Sequence, residues 1–157
     1  MTHKRHQNAA SATSTHLEVV HHDDYDPAIN SLYAPAIKVH RGDLVFVSGV
    51  TAAPVYHDHP HRDEDFATMP LDAEGQARLA YRHLGAALAA AGCTPGDVVS
   101  LNRFFTDVAG DQDVINRIQG EFFADHLPTS TSVEVKRLAT HPLLKLEIQA
   151  IAVAPPR

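Results

Sequence analysis

The chain has no tryptophan, one cysteine, and only 6% aromatic residues among its 157. A single thiol, Cys93, cannot close an intramolecular disulfide and cannot by itself build a thiolate metal site. It follows a helix C-terminus, where the helix dipole disfavours a thiolate, so it reads as inert. No apolar run reaches the length of a membrane span. Positive charge is also scarce: 13 Lys and Arg face 19 Asp and Glu, a formal charge of −6. Without a basic stripe, nucleic acid is not the expected partner. What is abundant is apolar residues, 44%, and histidine, with 12 copies. The first suits one globular domain with a real core at this length. The second means that protonating half the imidazoles would bring the net charge near zero, so solubility should suffer below neutral pH.

Residues 1–16 are polar, small and aperiodic, and read as a flexible arm ahead of a single domain, 17–157. The N-terminus is not a signal peptide, which makes the cytoplasm the expected location. A first strand is expected near Leu17–Val20. Ala36–His40 alternates, Arg41-Gly42-Asp43 turns, and Leu44–Val50 is nearly all apolar, which predicts a hairpin whose second strand is buried on both faces. Pro54, Pro60 and Pro70 forbid regular structure over 51–71. Asp72 is the expected N-cap of a helix to Ala91, with Ala77, Ala80, Leu84, Leu88 and Ala91 on one stripe and Gly92 as its stop. Val98–Phe105 reads as a central strand. Asp111 or Asp113 is expected to cap a second helix through Ala124, followed by strands at 131–138 and 144–153. Two helices cover only one face of such a sheet, which implies an oligomer.

Several segments in order resemble the Rid (YjgF, reactive intermediate deaminase) superfamily: RGDLVFVSG at 41–49, QARLAYRHLGAALAAAG at 76–92, GDVVSLNRFFTD at 96–107, INRIQGEFFADHLPTSTSVEV at 115–135 and LEIQAIAV at 146–153. The resemblance implies an α+β, chorismate-mutase-like protomer, a six-stranded mixed sheet with two helices on one face. It also implies a homotrimer with small-molecule clefts between subunits, and cofactor-free hydrolysis of enamines or imines. The family's carboxylate-binding arginine falls at Ser130, so that cation is missing. Pro128-Thr129-Ser130-Thr131-Ser132 is similar instead to the Pro-Asn-Ser-x-Ser motif of the 2-aminomuconate deaminase branch, with Thr129 in place of the asparagine. Glu147 matches the family's water-activating glutamate, Tyr33 its cleft tyrosine, and the Ser48-Gly49 strand end its backbone contact to substrate.

From the residues themselves, a glutamate in the apolar strand around Glu147 suits proton transfer if buried, and otherwise simply faces solvent. Ser130 and Ser132 share a strand face and can bind a carboxylate or a water, or satisfy local backbone. Arg103, a charge in a central strand, either reaches the cleft as the missing cation or pairs with Glu121 or Glu134. Glu147, Ser132 and Ser130 are thus the expected catalytic residues, and Tyr33, Gly49, Thr129 and Arg103 the expected substrate contacts. His57, His59 and His61 have the residue type of metal ligands, but alternating spacing in a proline-broken loop reads as a solvated segment or a lid, and no metal is expected. His83 reads as partly buried at the polar edge of the first helix. The activity implied is a deaminase acting on a small unsaturated acid; a tautomerase or lyase, or a non-enzymatic ligand-binding trimer, are the alternatives.

Overall fold

A computed structural model describes residues 16–157. Of the expected arm, 1–15 lie outside the described residues. His16 does not belong to an arm: it is buried, with Nε2 3.0 Å from the Val153 carbonyl and 3.3 Å from Asp97.

All six expected strands are present: β1 (Leu17–Val20), β2 (Ala36–Val39), β3 (Asp43–Val50), β4 (Val98–Phe105), β5 (Thr129–Glu134) and β6 (Leu146–Ala154). The single six-stranded sheet is not. Four strands form a mixed sheet in the order β3-β6-β4-β5, and β1 and β2 form a separate antiparallel ladder. The expected hairpin is therefore also corrected. β2 pairs with β1, while β3 pairs with β6, more than a hundred residues on. Gly42, at φ +115, carries the chain from the ladder into the sheet, where a Cβ would run into the Ala154 carbonyl.

Helix α1 (Ala73–Ala90) starts where its signal stands, with Asp72 accepting from Gly75 N at 2.7 Å, and stops before Gly92 at φ +73. Helix α2 (Val108–Phe123) starts earlier than expected, because Asp107 accepts from Gly110 N and Glu134 of β5 accepts from Val108 N. Asp111 is instead buried and paired with Lys145 at 3.0 Å. The 51–71 connection is mostly irregular but holds a short 3₁₀ turn, Asp63–Phe66, which drives Phe66 into a second apolar cluster with Ala52, Met69 and Leu144.

β4 runs antiparallel to β6 and parallel to β5, with α2 as the crossover between the parallel pair. Strand alternation then sorts the side chains. Leu101, Phe105, Leu146, Ile148 and Ala150 pack beneath the helices with Leu84, Leu88 and Ile115. Asn102, Phe104, Glu147 and Gln149 take the opposite face, where Asn102 donates to Gln149. β3 is not buried on both faces: Leu44 is 60% and Phe46 73% exposed. An edge strand presenting two large apolar side chains beside a helix-free sheet face favours coverage by further copies of the chain. Light scattering is expected to give ~51 kDa, three times 17.1 kDa, and Phe46→Glu should reduce it toward one chain's mass.

Candidate active site

Glu147 stands on β6 across from Phe104, at the point where the β3–β6 register breaks between Val47 and Val50. That bulge brings Gly49 against the carboxylate: a Cβ at Gly49 would collide with Glu147 Oε1. Two residues expected in separate roles, Gly49 and Glu147, thus lie against each other. Glu147 is partly buried, and burial pushes its carboxyl above the ordinary glutamate range. A carboxyl held closer to neutrality in this way suits proton transfer.

Arg103 lies on the other face. It is 6% exposed, donates from Nε to Ser132 Oγ at 3.0 Å and from a terminal nitrogen to Asn116 Oδ1 at 2.8 Å, and sits over the Phe105 ring at 5.1 Å. Burial draws its pKa below the usual guanidinium value, with neighbouring Tyr81 opposing the shift. Tyr81 is itself buried, which raises its hydroxyl's pKa, and it donates to Gln119. The expected carboxylate partners are engaged elsewhere: Glu121 with Arg78 and Arg117, Glu134 with the start of α2. Among the described residues no carboxylate is in ion-pair contact with Arg103. Ser130, in register with Leu101, shares this face, and its buried Oγ has no hydrogen-bond partner. Asn116 is not among the residues that the sequence singles out. The available signal was an asparagine inside a helix, where its propensity is poor.

Thr129 spends its hydroxyl on the Val99 carbonyl at 2.7 Å, tying β5 to β4. Tyr33 is 55% exposed and lines a cavity of about 260 Å³ with His21, Tyr25, Ile29 and Leu127. Its loop is moored to the start of β5 by Ala34 N donating to the Pro128 carbonyl. His83 contacts the Thr51 carbonyl through Nδ1, and Cys93 is buried with its thiol pKa raised, chiefly by desolvation.

Five of the seven expected site residues therefore fall into two groups, with Thr129 and Tyr33 in neither. Glu147 and Gly49 belong to the helix-free face. Arg103, Ser130 and Ser132 belong to the helix side of β4 and β5. One protomer does not bring the two groups together, and the sheet itself separates them.

Residues 25–154 match the family model described as endoribonuclease L-PSP. The chain is 38% identical over 115 residues to the putative reactive intermediate deaminase TdcF of Escherichia coli, covering 71% of this chain and 80% of that protein. It is 36% identical over 88 residues to the 2-iminobutanoate/2-iminopropanoate deaminase of the same organism, covering 54% and 66%. The crystal structure of E. coli TdcF with bound serine superposes with a TM-score of 0.59 at 35% identity, covering 71% of this chain and 81% of that one. A family model spanning most of the chain, relatives above 30% identity and a shared fold lead to one conclusion: this chain belongs to the Rid (YjgF) superfamily.

Proposed function

We propose that the protein is a cofactor-free deaminase that hydrolyses the enamine or imine of a small unsaturated acid, 2-aminomuconate-like, in clefts between the subunits of a homotrimer. The observation that carries this reading is a buried guanidinium that has, among the described residues, no carboxylate partner, beside a buried serine hydroxyl that has no hydrogen-bond partner among them. A buried cation held only by neutral groups costs free energy unless an anion reaches it. A substrate carboxylate is such an anion. Arg103 then takes the role that the missing arginine at 130 plays in the family, from the neighbouring strand, with Ser130 and Ser132 as further donors. Exposed Ser132 gives the approach to it. The net charge of −6 gives no support to an RNA substrate.

In this mechanism the enamine is protonated at carbon to give the imine. Water then adds to the imine carbon while the nitrogen takes up a proton. Collapse of the adduct forms the carbonyl product and releases ammonia. Each stage moves a proton, and Glu147 is the group on its face with a pKa shifted toward that task. Gly49 leaves its carboxylate uncovered. Because Glu147 and Arg103 point to opposite faces, the carboxylate anchor and the proton carrier of one cleft come from different copies of the chain.

Ammonia release from 2-aminomuconate generated in situ tests the reading. Glu147→Gln should lower turnover by about 10²–10⁴-fold with little change in KM. It should also remove from the pH–rate profile a limb lying above the ordinary glutamate pKa. The same shift has a stability consequence. Because the folded-state pKa is raised, the wild type loses stability as pH rises from the ordinary glutamate value through the raised one. The glutamine variant lacks that loss, so it should melt higher at pH 7 and match the wild type below about pH 4. Full turnover by Glu147→Gln refutes the proton-transfer role.

Arg103→Met keeps length and removes the charge. Losing a charge-assisted bond of about 1.5–3 kcal/mol should raise KM by about ten- to a hundredfold while kcat changes less. An unchanged KM refutes the anchoring role.

A further inference from the structure

The 51–71 connection contains a constellation that the deaminase reading does not use. His57, His59 and His61 offer ring nitrogens that all lie within 4.8 Å of one another. Their ring centroids are 5.0, 4.8 and 4.5 Å apart, pair by pair. His57 Nε2 and His61 Nε2 approach to 3.2 Å. Two nitrogens bound at ~2.0–2.1 Å to one tetrahedral ion stand roughly 3.3 Å apart. The two rings stand at hydrogen-bond distance without a metal, and the same spacing accommodates two ligands on a shared ion.

The orientation of His57 supports the same conclusion. Its Nδ1 lies 2.8 Å from the Pro54 carbonyl. A carbonyl only accepts, so Nδ1 carries a proton, which leaves Nε2, the atom facing His61, as the ligand atom of the ring. A metal-binding imidazole is held by this kind of outer contact, which sets both tautomer and ring angle. Phe66 adds a wall: its ring centroid is 5.5 Å from both His57 and His61, and its side chain is anchored in the second apolar cluster. The nearby carboxylates are turned to another partner. Asp58, Glu64 and Asp65 gather around Arg62 at 2.9, 4.0 and 3.3 Å. The donor set is thus three imidazole nitrogens, which selects zinc, copper(II) or nickel(II) over magnesium or calcium. Alternation in the chain gave no closed-site spacing, and the fold of the connection supplies the convergence that the spacing alone lacks.

We propose that His57, His59 and His61 bind one borderline divalent transition-metal ion per chain, of the zinc class, with a coordination position left open to solvent. The ion cross-links three points of the connection and fixes it over the cluster formed by Phe66, Ala52 and Leu144.

Calorimetric titration of the full chain with zinc chloride, after stripping with a chelator, tests this. One saturable site per chain is expected. His57→Ala combined with His61→Ala should abolish it, while His21→Ala with His22→Ala, and His3→Ala with His6→Ala, should leave it intact. Circular dichroism checks that each variant is folded. Cobalt(II) loading gives a second readout, with an intense visible absorption marking a low-symmetry nitrogen site in the wild type but not in the double variant. Absence of saturable zinc binding by the wild type, or its retention by the His57–His61 variant, overturns the proposal.

Discussion

The two-residue period of β4 and β6 governs the chemistry available to this chain. Arg103 and Phe104 are neighbours in sequence, yet one side chain faces the helices and the other the opposite side of the sheet, against the second apolar cluster. Glu147 is registered opposite Phe104, so the same period sends it away from the guanidinium. No rotamer change can reverse this, because a hydrogen-bonded sheet lies between the groups. The apolar exposure of Leu44 and Phe46 and the separated halves of the site are complementary consequences of a sheet with helices on one side only.

The burial of Arg103 is maintained by neutral contacts of different kinds. Ser132 fixes its Nε on one strand, Asn116 fixes a terminal nitrogen from α2, and the Phe105 face lies beneath the guanidinium. These contacts orient the fork, and none of them, among the described residues, brings a negative charge to it. The pairing that the sequence made plausible, with Glu121 or Glu134, is prevented by local structure. Glu121 is engaged by arginines of both helices, and Glu134 completes the cap that starts α2 four residues before Asp111.

What was legible in the sequence follows a physical division. α1 was legible because its cap, its stripe and its stop are all local: Asp72, Ala80 to Leu88, and Gly92. The start of α2 was less so, since Asp107, Asp111 and Asp113 are all competent caps, and a carboxylate from β5 helps decide among them. The hairpin was misread because alternation and a glycine turn are local, whereas the true partner of β3 is the end of the chain. In the candidate site, Glu147, Ser130 and Ser132 are singled out through ordered resemblance to a family, and their roles are part of the proposal. The environment of Arg103 was not, because it depends on which residue of α2 comes to lie over β4. Three histidines at alternating positions look solvated, whereas the fold of the connection brings their rings together, two of them against Phe66.

The notch at Gly49 also bears on folding fidelity. β3 is an edge strand, held to the sheet by one ladder, and a slip of one position along β6 would place Ser48 or Val50 where the glycine now stands. Such a molecule would keep its helices, yet a side chain would sit on the Glu147 carboxylate, Val47 would leave the core, and Leu44 and Phe46 would turn toward the helices. The irregularity between Val47 and Val50 thus acts as a registration mark: it commits the edge strand to the one alignment in which the acid is uncovered. Spectra that report secondary structure would not distinguish the two alignments, whereas titration of Glu147 would.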